Sequence, residues 1–427
     1  MATKIERLAV DGGEPVRTAP LETGYPGARL IGDEERELVL EVLERRAPFR
    51  FYGVNEPDKV AALEREAARM MGTAYALGVT SGTAALKVGL KALDIAPGDE
   101  VIVPALTFIA SPGTVAAHQA IPVFADVNES FTLAPDDIEN RITSRTRAIM
   151  PVHTSGVAAE MDTIMDIARR HDLPVIEDCA QSAGAAYKDK PIGAWGDVGA
   201  FSLQVNKIIT AGEGGFVTTS EPAMFERAVR YHDHGNYRFG RMTIETSAPD
   251  DTMGDLTAYP PGQLDAFPGE VYRMGELAGA LALAQLRKLP GIIDHMRHAH
   301  DTIKREVAGL PGVTLRHLPD PDGVAGVAFG LLLDDPENTG PFVKALRAEG
   351  IPARHVYGGK PVYTIEALQN YRPAVGALTQ EFASGLCPRT EAIMARAVLI
   401  GIGPGYTDAD CADVVQGLWK VATQVLV

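Results

Sequence analysis

From Ala74 onward, short apolar runs alternate with stretches of helical spacing. Residues 76–79, 100–103, 121–127, 147–152 and 174–177 each read as a strand. Residues 84–93, the stretch up to His118 and residues 161–171 repeat their apolar positions at the helical period between them. Strands this apolar are buried on both faces, so the alternation requires a mainly parallel sheet covered by helices on each side. Residues 214–218 add a strand and residues 222–231 a helix.

The flanks are organised differently. Residues 1–58 read as an N-terminal arm with a helix over 34–45, and residues 60–71 as a second amphipathic helix. A strong helix is expected over 272–289. Beyond it, strands over 313–318, 324–333 and 352–356 and helices over 342–349 and 409–426 predict a smaller α+β domain. The expected division is an arm at 1–58, a large α/β domain at 59–290 and a small domain at 291–427. Residues 236–268 are rich in Asp, Pro and Gly and show no period. A loop of that length is functional or disordered, here a substrate-side or subunit-interface loop on the functional reading.

Charge and cysteine usage narrow the function classes. The chain of 427 residues carries 40 Lys and Arg against 56 Asp and Glu, a net charge of −16. Such a balance disfavours nucleic acid and anionic membrane as partners. Cys179, Cys387 and Cys411 are an odd set without paired spacing, which suits reduced thiols in a cytoplasmic protein and no metal site. The first residues lack the pattern of a signal peptide, and no apolar run is long enough to span a bilayer.

The chemistry concentrates between Pro174 and Gly215. One strand run ends at Asp178, a second short strand ends at Ser202, and Lys207 follows just before Gly212-Glu213-Gly214-Gly215. Acid, hydroxyl and lysine at neighbouring strand ends suit pyridoxal 5′-phosphate. That cofactor needs a lysine for its Schiff base, an acid to keep its ring nitrogen protonated and donors for its phosphate. Thr80-Ser81-Gly82-Thr83 lies between a strand and a helix, where free N–H groups receive an anion. In isolation Ser81 or Thr83 is a helix cap, and a lone lysine is a solvated surface residue. Phe108 follows a strand end and can stack on a flat ring. Gln181 is a candidate donor to a ring hydroxyl.

These segments resemble the DegT/StrS family of pyridoxal-phosphate-dependent sugar and aminocyclitol aminotransferases. The resemblance rests on residues 177–185, 201–207, 212–215, 81–86, 104–108 and 387–391. It implies the aspartate-aminotransferase fold (fold type I) with a seven-stranded sheet. It also implies that Lys207 forms the Schiff base, Asp178 binds the pyridine nitrogen and Gln181 the ring hydroxyl. Gly82, Thr83 and Ser202 would hold the phosphate, and Phe108 would stack on the ring. Family members are homodimers with shared sites. Their donor is glutamate or glutamine and their acceptor a keto-sugar or ketocyclitol, often in antibiotic and other secondary-metabolite biosynthesis. One departure stands out: Val271 occupies the place of an Asn that reaches the partner subunit's phosphate in the family, and valine has no side-chain donor. The family also contains dehydratases in which histidine replaces the lysine, so Lys207 favours transamination. Residues 12–18 and Gln204 lean toward the aminocyclitol and aminohydroxybenzoate-synthase branch. An aromatising dehydratase of that kind, or a pyridoxal-phosphate-binding regulator without turnover, are the rival readings.

Overall fold

The computed structural model describes residues 7–51, 53–235 and 264–427. The arm carries α1 (Pro26–Arg29) and α2 (Asp33–Arg45) and is followed by α3 (Lys59–Met71). Strands and helices then alternate as β1 (Tyr75–Val79), α4 (Gly82–Ala92), β2 (Glu100–Pro104), α5 (Ala110–Ala117) and β3 (Ile121–Ala125). The series continues with α6 (Pro135–Arg141), β4 (Thr146–Ile149), α7 (Met161–His171) and β5 (Ile176–Asp178). A hairpin of β6 (Ala186–Tyr187) and β7 (Lys190–Pro191) leads to β8 (Val198–Ser202), β9 (Gly215–Thr219) and α8 (Pro222–His232).

Seven of these strands line up as β1-β9-β8-β5-β4-β2-β3. The parallel bridges Ile149–Val175 and Val152–Asp178 carry the sheet from β4 to β5. Only β9 runs antiparallel to its neighbours, so the sheet is mainly parallel, as the apolar runs require. The exception follows from its connection. Between Ser202 and Gly215 there is a loop and no crossover helix, and parallel neighbours need a crossover. At the sheet edge, the Gly78 N–H of β1 donates to Glu64 Oε1 on α3 at 2.8 Å. Glu64 in turn pairs with buried Arg50. The edge is thus covered rather than left open to another strand.

The long helix α9 (Glu276–Glu306) runs beyond the expected end at 289 and passes straight through Pro290. A proline inside a helix costs about 3 kcal/mol. Here it is outweighed by burial of Leu286, Leu289, Ile292, Ile293, Met296 and Ile303 along one face. The expected domain limit at 290 falls inside this helix. Beyond it lie β10 (Val313–Leu315), β11 (Ala328–Leu333), α10 (Thr339–Ala348), β12 (Ala353–His355), α11 (Glu366–Gln369), α12 (Pro388–Arg396), β13 (Ala397–Gly401) and α13 (Asp408–Val425). The small sheet is antiparallel with the order β10-β11-β13-β12. Its inner strand β13 was absent from the sequence expectations.

The arm is fixed at both ends. Ala9 and Val16 donate backbone N–H groups to the buried Glu349 carboxylate, which also pairs with Lys420. Further on, the Gly27 N–H donates to the Lys207 carbonyl at 3.3 Å. No helix among the described residues is long and apolar enough to cross a membrane. Of the loop expected over 236–268, residues 236–263 lie outside the described residues.

Candidate active site

The carboxyl ends of β1, β2, β5 and β8 open into one cavity of about 680 Å³. It is lined by Gly82, Thr83, Phe108, Asp178, Gln181, Ser202 and Lys207, the seven residues singled out from the sequence. A parallel α/β sheet collects ligands at such strand ends. The small domain and the arm close the far walls.

Asp178 ends β5 and is 4% exposed. Its carboxylate accepts from the Ser111 hydroxyl at 2.8 Å and from the Ala180 N–H at 3.1 Å. Thr107 lies one helical turn from Ser111, with its hydroxyl 2.8 Å from Ser111 Oγ. Two donors on separate elements hold the acid in one orientation without neutralising it. Behind β5, the fully buried Glu177 accepts from His153 Nε2 at 3.0 Å and from the N–H groups of Gly193 and Gly196. The His153 Nδ1 accepts the Ala159 N–H, so this polar cluster beside Cys179 is saturated within the chain.

Lys207 sits on a loop tied across its base. Leu203 donates to the Gly214 carbonyl, Val205 to Gly212 and Ala211 to Leu203, each at 2.9 to 3.0 Å. Gly212 turns the chain at φ +77°, a conformation that suits glycine. Below the loop, Gln285 accepts the Thr210 N–H at 3.2 Å and donates to Glu35 Oε1 at 2.8 Å. The loop is thereby anchored to α9 and α2. Burial pushes the Lys207 ammonium below its ordinary value, with the Asp178 charge acting in the opposite direction.

The start of α4 forms an anion cradle. Ser81 Oγ accepts the Ala84 N–H at 3.0 Å as a helix cap, so the cap reading holds for Ser81. The N–H groups of Gly82 and Thr83 belong to the helix start that has no partner inside the helix. Ser202 approaches from β8. A Cβ added to Gly82 would lie 2.5 Å from Ser202 Cβ and 2.7 Å from its Oγ. Only glycine lets the helix start meet the β8 hydroxyl this closely. The site thus fits pyridoxal phosphate: a cradle for its phosphate, an oriented acid for its ring nitrogen and a partly buried amine.

Phe108 is 54% exposed at the cavity mouth. Gln181 Oε1 accepts the Ser155 N–H at 3.3 Å, and the side chain lines the cavity together with Tyr357. The sequence reading missed four contributors. Ser111 orients Asp178, Ser155 orients Gln181, and Arg354 and Tyr357 line the cavity from the small domain. A hydroxyl pair at i and i+4 after a strand end, as in Thr107 and Ser111, was a usable signal for the first; none marked the others. Val271 is exposed and lies on a segment bridged to Val79 and Asp233, outside the cavity lining.

The sequence profile of the DegT/DnrJ/EryC1/StrS aminotransferase family matches residues 31–419. The chain is 37% identical over 237 residues to a GDP-perosamine synthase of Escherichia coli O157:H7, covering 55% of this chain and 59% of that protein. It is 35% identical over 316 residues to an L-glutamine:2-deoxy-scyllo-inosose aminotransferase of Micromonospora echinospora, covering 72% of this chain and 70% of that one. With several curated relatives the match spans only about three fifths of their length. Among solved structures, 3-amino-5-hydroxybenzoic acid synthase superimposes with a TM-score of 0.80 at 27% identity, covering 95% of this chain and 100% of that chain. The architecture is therefore the fold-type-I arrangement that the sequence resemblance implied.

Proposed function

The chain belongs to the DegT/DnrJ/EryC1/StrS aminotransferase family, and we propose that it is a pyridoxal-phosphate-dependent aminotransferase. On this reading it moves an amino group from L-glutamate or L-glutamine to a ketone on a sugar or cyclitol in secondary metabolism. The observation that carries the reading is that Lys207 and Asp178 line one cavity together with the start of α4 and Ser202. The names of the perosamine and scyllo-inosose relatives support the substrate class.

When bound, pyridoxal phosphate supplies an electron sink that stabilises charge on the substrate carbon. The residues do the rest. Lys207, whose ammonium form burial disfavours, would supply the amine for the covalent bond to the cofactor. With the cofactor bound, the same Nζ would take a proton from the substrate carbon and return it on the cofactor side. Asp178, held by Ser111 and Ala180, keeps the ring nitrogen protonated. Gln181 donates to the ring hydroxyl from an amide oriented by Ser155. Gly82, Thr83 and Ser202 hold the phosphate, and Phe108 stacks on the ring. The enzyme acts in the cytoplasm, where the buried Cys179, Cys387 and Cys411 stay reduced, and works as a homodimer.

The test is the visible absorption of purified protein loaded with pyridoxal phosphate, titrated separately with L-glutamine and L-glutamate. The band of the lysine-bound cofactor should disappear with one donor while one equivalent of oxoacid forms. A protein that gains no such band, or releases no oxoacid with either donor, refutes the reading. Likeness to 3-amino-5-hydroxybenzoic acid synthase favours a second reading, an aromatising dehydratase. That activity yields no stoichiometric oxoacid.

A further inference from the structure

A buried cation without a counter-ion stands behind the cavity wall. Arg316 follows β10 and continues its ladder, its N–H donating to the Gly330 carbonyl of β11 at 3.0 Å. The residue is 5% exposed and is not itself a lining residue of the cavity. Among the described residues it forms no ion pair, and burial pushes its guanidinium down to about 9. A charge buried in this way is tolerated only where its donors are satisfied. Here main-chain oxygens satisfy them. Nε and Nη2 donate to the Ser130 carbonyl at 2.7 and 2.5 Å, Nη2 to the Thr154 carbonyl at 2.8 Å and Nη1 to the Ser155 carbonyl at 3.5 Å. The slot is shaped for the fork. The guanidinium carbon lies 4.7 Å from the centre of the Phe131 ring, and a Cβ added to Gly330 would lie 2.7 Å from Arg316 Cδ.

Thr154 and Ser155 begin a tight turn. The Val157 N–H donates to the Thr154 carbonyl at 3.1 Å, and both central residues are left-handed, Ser155 at φ +49° and Gly156 at φ +85°. Only the second is glycine, so the surroundings must hold Ser155 in a conformation that side chains rarely adopt. The N–H side of the turn holds Gln181. The Ser155 N–H donates to Gln181 Oε1 at 3.3 Å, and the Gly156 N–H donates to the Gln181 carbonyl at 3.2 Å and to Ser182 Oγ at 2.9 Å. Each of these two peptide units is therefore gripped at both ends, by Arg316 on its oxygen and by Gln181 on its nitrogen. Hydrogen bonds linked in this way strengthen one another. The Ala325 N–H adds a bond from the small-domain side to the Gly156 carbonyl at 2.8 Å.

We propose that Arg316 is a positioning residue for the cofactor's ring hydroxyl: it locks the turn of residues 154–157, and that turn holds the Gln181 amide in the orientation in which it donates. The inference rests on the aminotransferase reading and on Gln181 serving the ring hydroxyl. It adds a route by which the small domain reaches the cofactor end of the site.

The test follows the visible band of the cofactor-loaded protein against pH. A donor to the ring oxygen competes with the protonated nitrogen of the lysine link, so losing the donor lets that nitrogen keep its proton to higher pH. Gln181→Ala should raise the midpoint by about one pH unit. Arg316→Met should raise it by about half a unit or more in the same direction. Arg316→Lys keeps the charge and loses the fork, so it should raise the midpoint less, and it carries the test if the methionine variant does not fold. The double variant Gln181→Ala/Arg316→Met should shift no further than Gln181→Ala alone, because the arginine acts through the glutamine. Phe342→Leu, buried on α10 away from the turn and the cavity lining, lowers stability and should leave the midpoint where it is. In the protein without cofactor, the Ser155 and Gly156 amides should exchange with deuterium about tenfold faster in Arg316→Met than in Phe342→Leu. Additive shifts, equal amide exchange in those two variants, or an Arg316→Met midpoint equal to wild type while Gln181→Ala moves, each overturn the proposal and leave the aminotransferase reading standing. A wild type that forms no visible band refutes that reading, and the positioning of a ring hydroxyl falls with it.

Discussion

Replacing Gly82 by alanine tests the anion cradle against a well-defined alternative. Gly82 is the first residue of α4 and does not adopt positive φ. In a helix, alanine is ordinarily the more stable residue by roughly 0.5–1 kcal/mol. The cradle reverses that sign. The new methyl would sit 2.5 Å from Ser202 Cβ and 3.1 Å from Ser202 Cα, against an ordinary carbon–carbon contact of about 3.5–4.0 Å. Rotating Ser202 moves only its Oγ, at 2.7 Å, and leaves Cβ at 2.5 Å and Cα at 3.1 Å, both fixed by β8. The start of α4 must shift by about an ångström, and overpacking of this kind costs about 1–3 kcal/mol. The shift also parts the Gly82 and Thr83 N–H groups from Ser202 Oγ. Losing one hydrogen bond to a charged phosphate, about 1.5–3 kcal/mol, weakens cofactor binding roughly 10- to 150-fold. Thermal unfolding without cofactor and titration of pyridoxal phosphate at its visible band separate the two effects. In a Ser202→Gly background the two shortest contacts disappear and only Cα at 3.1 Å remains, so the Gly82→Ala penalty on stability should shrink markedly while cofactor binding stays weak. A Gly82→Ala protein as stable as wild type, with unaltered cofactor affinity, would show that the cradle does not hold the phosphate.

Three further outcomes follow from the same geometry. Ser111→Ala removes one of two donors to Asp178 and should lower kcat/KM about tenfold while cofactor remains bound, since a hydrogen bond to a charged group is worth about 1.5–3 kcal/mol. Glu276, buried at the start of α9 with Oε1 unpaired, is pushed up to about 7 by burial. A carboxyl that binds its proton more tightly when folded makes stability fall as pH rises from the unfolded value near 4.5 to about 7. That contribution is on the order of 3 kcal/mol, and Glu276→Gln should flatten the urea-midpoint profile over this range. Arg316 is buried without an acidic partner, donates to the carbonyls of Ser130 and Thr154, and lies over the Phe131 ring. Arg316→Met should therefore cost about 2–4 kcal/mol in urea unfolding, because those buried carbonyls lose their donors.

What the sequence disclosed follows from how locally each feature is encoded. The sheet was legible because β1, β2, β3, β5 and β8 are buried at every position, which shows as short runs that are apolar apart from polar residues at some strand ends, such as Glu100 and Asp178. The positions of Asp178, Ser202 and Lys207 were legible because each lies at or just beyond such a run. Helix α9 was cut short at Leu289 because Pro290 is a strong local signal to stop, and the burial that overrules it comes from elements far away in sequence. Strand β13 begins at Ala397 directly after α12 ends at Arg396, so no turn residues mark where the helix stops and the strand starts. Ser111 reaches Asp178, and Arg354 the cavity, through single side chains that lie 67 residues from Asp178 and in another domain respectively. The i, i+4 spacing of Thr107 and Ser111 was a local signal for the first; no spacing pattern marks Arg354, and only the fold brings it to the site.

The most direct test of the central claim is borohydride reduction of the cofactor-loaded protein, followed by proteolysis and mass spectrometry. The account predicts a pyridoxyl adduct on the peptide containing Lys207, absent from a Lys207→Ala variant. An adduct on another lysine, or a loaded protein that gives no reducible bond at all, would contradict it.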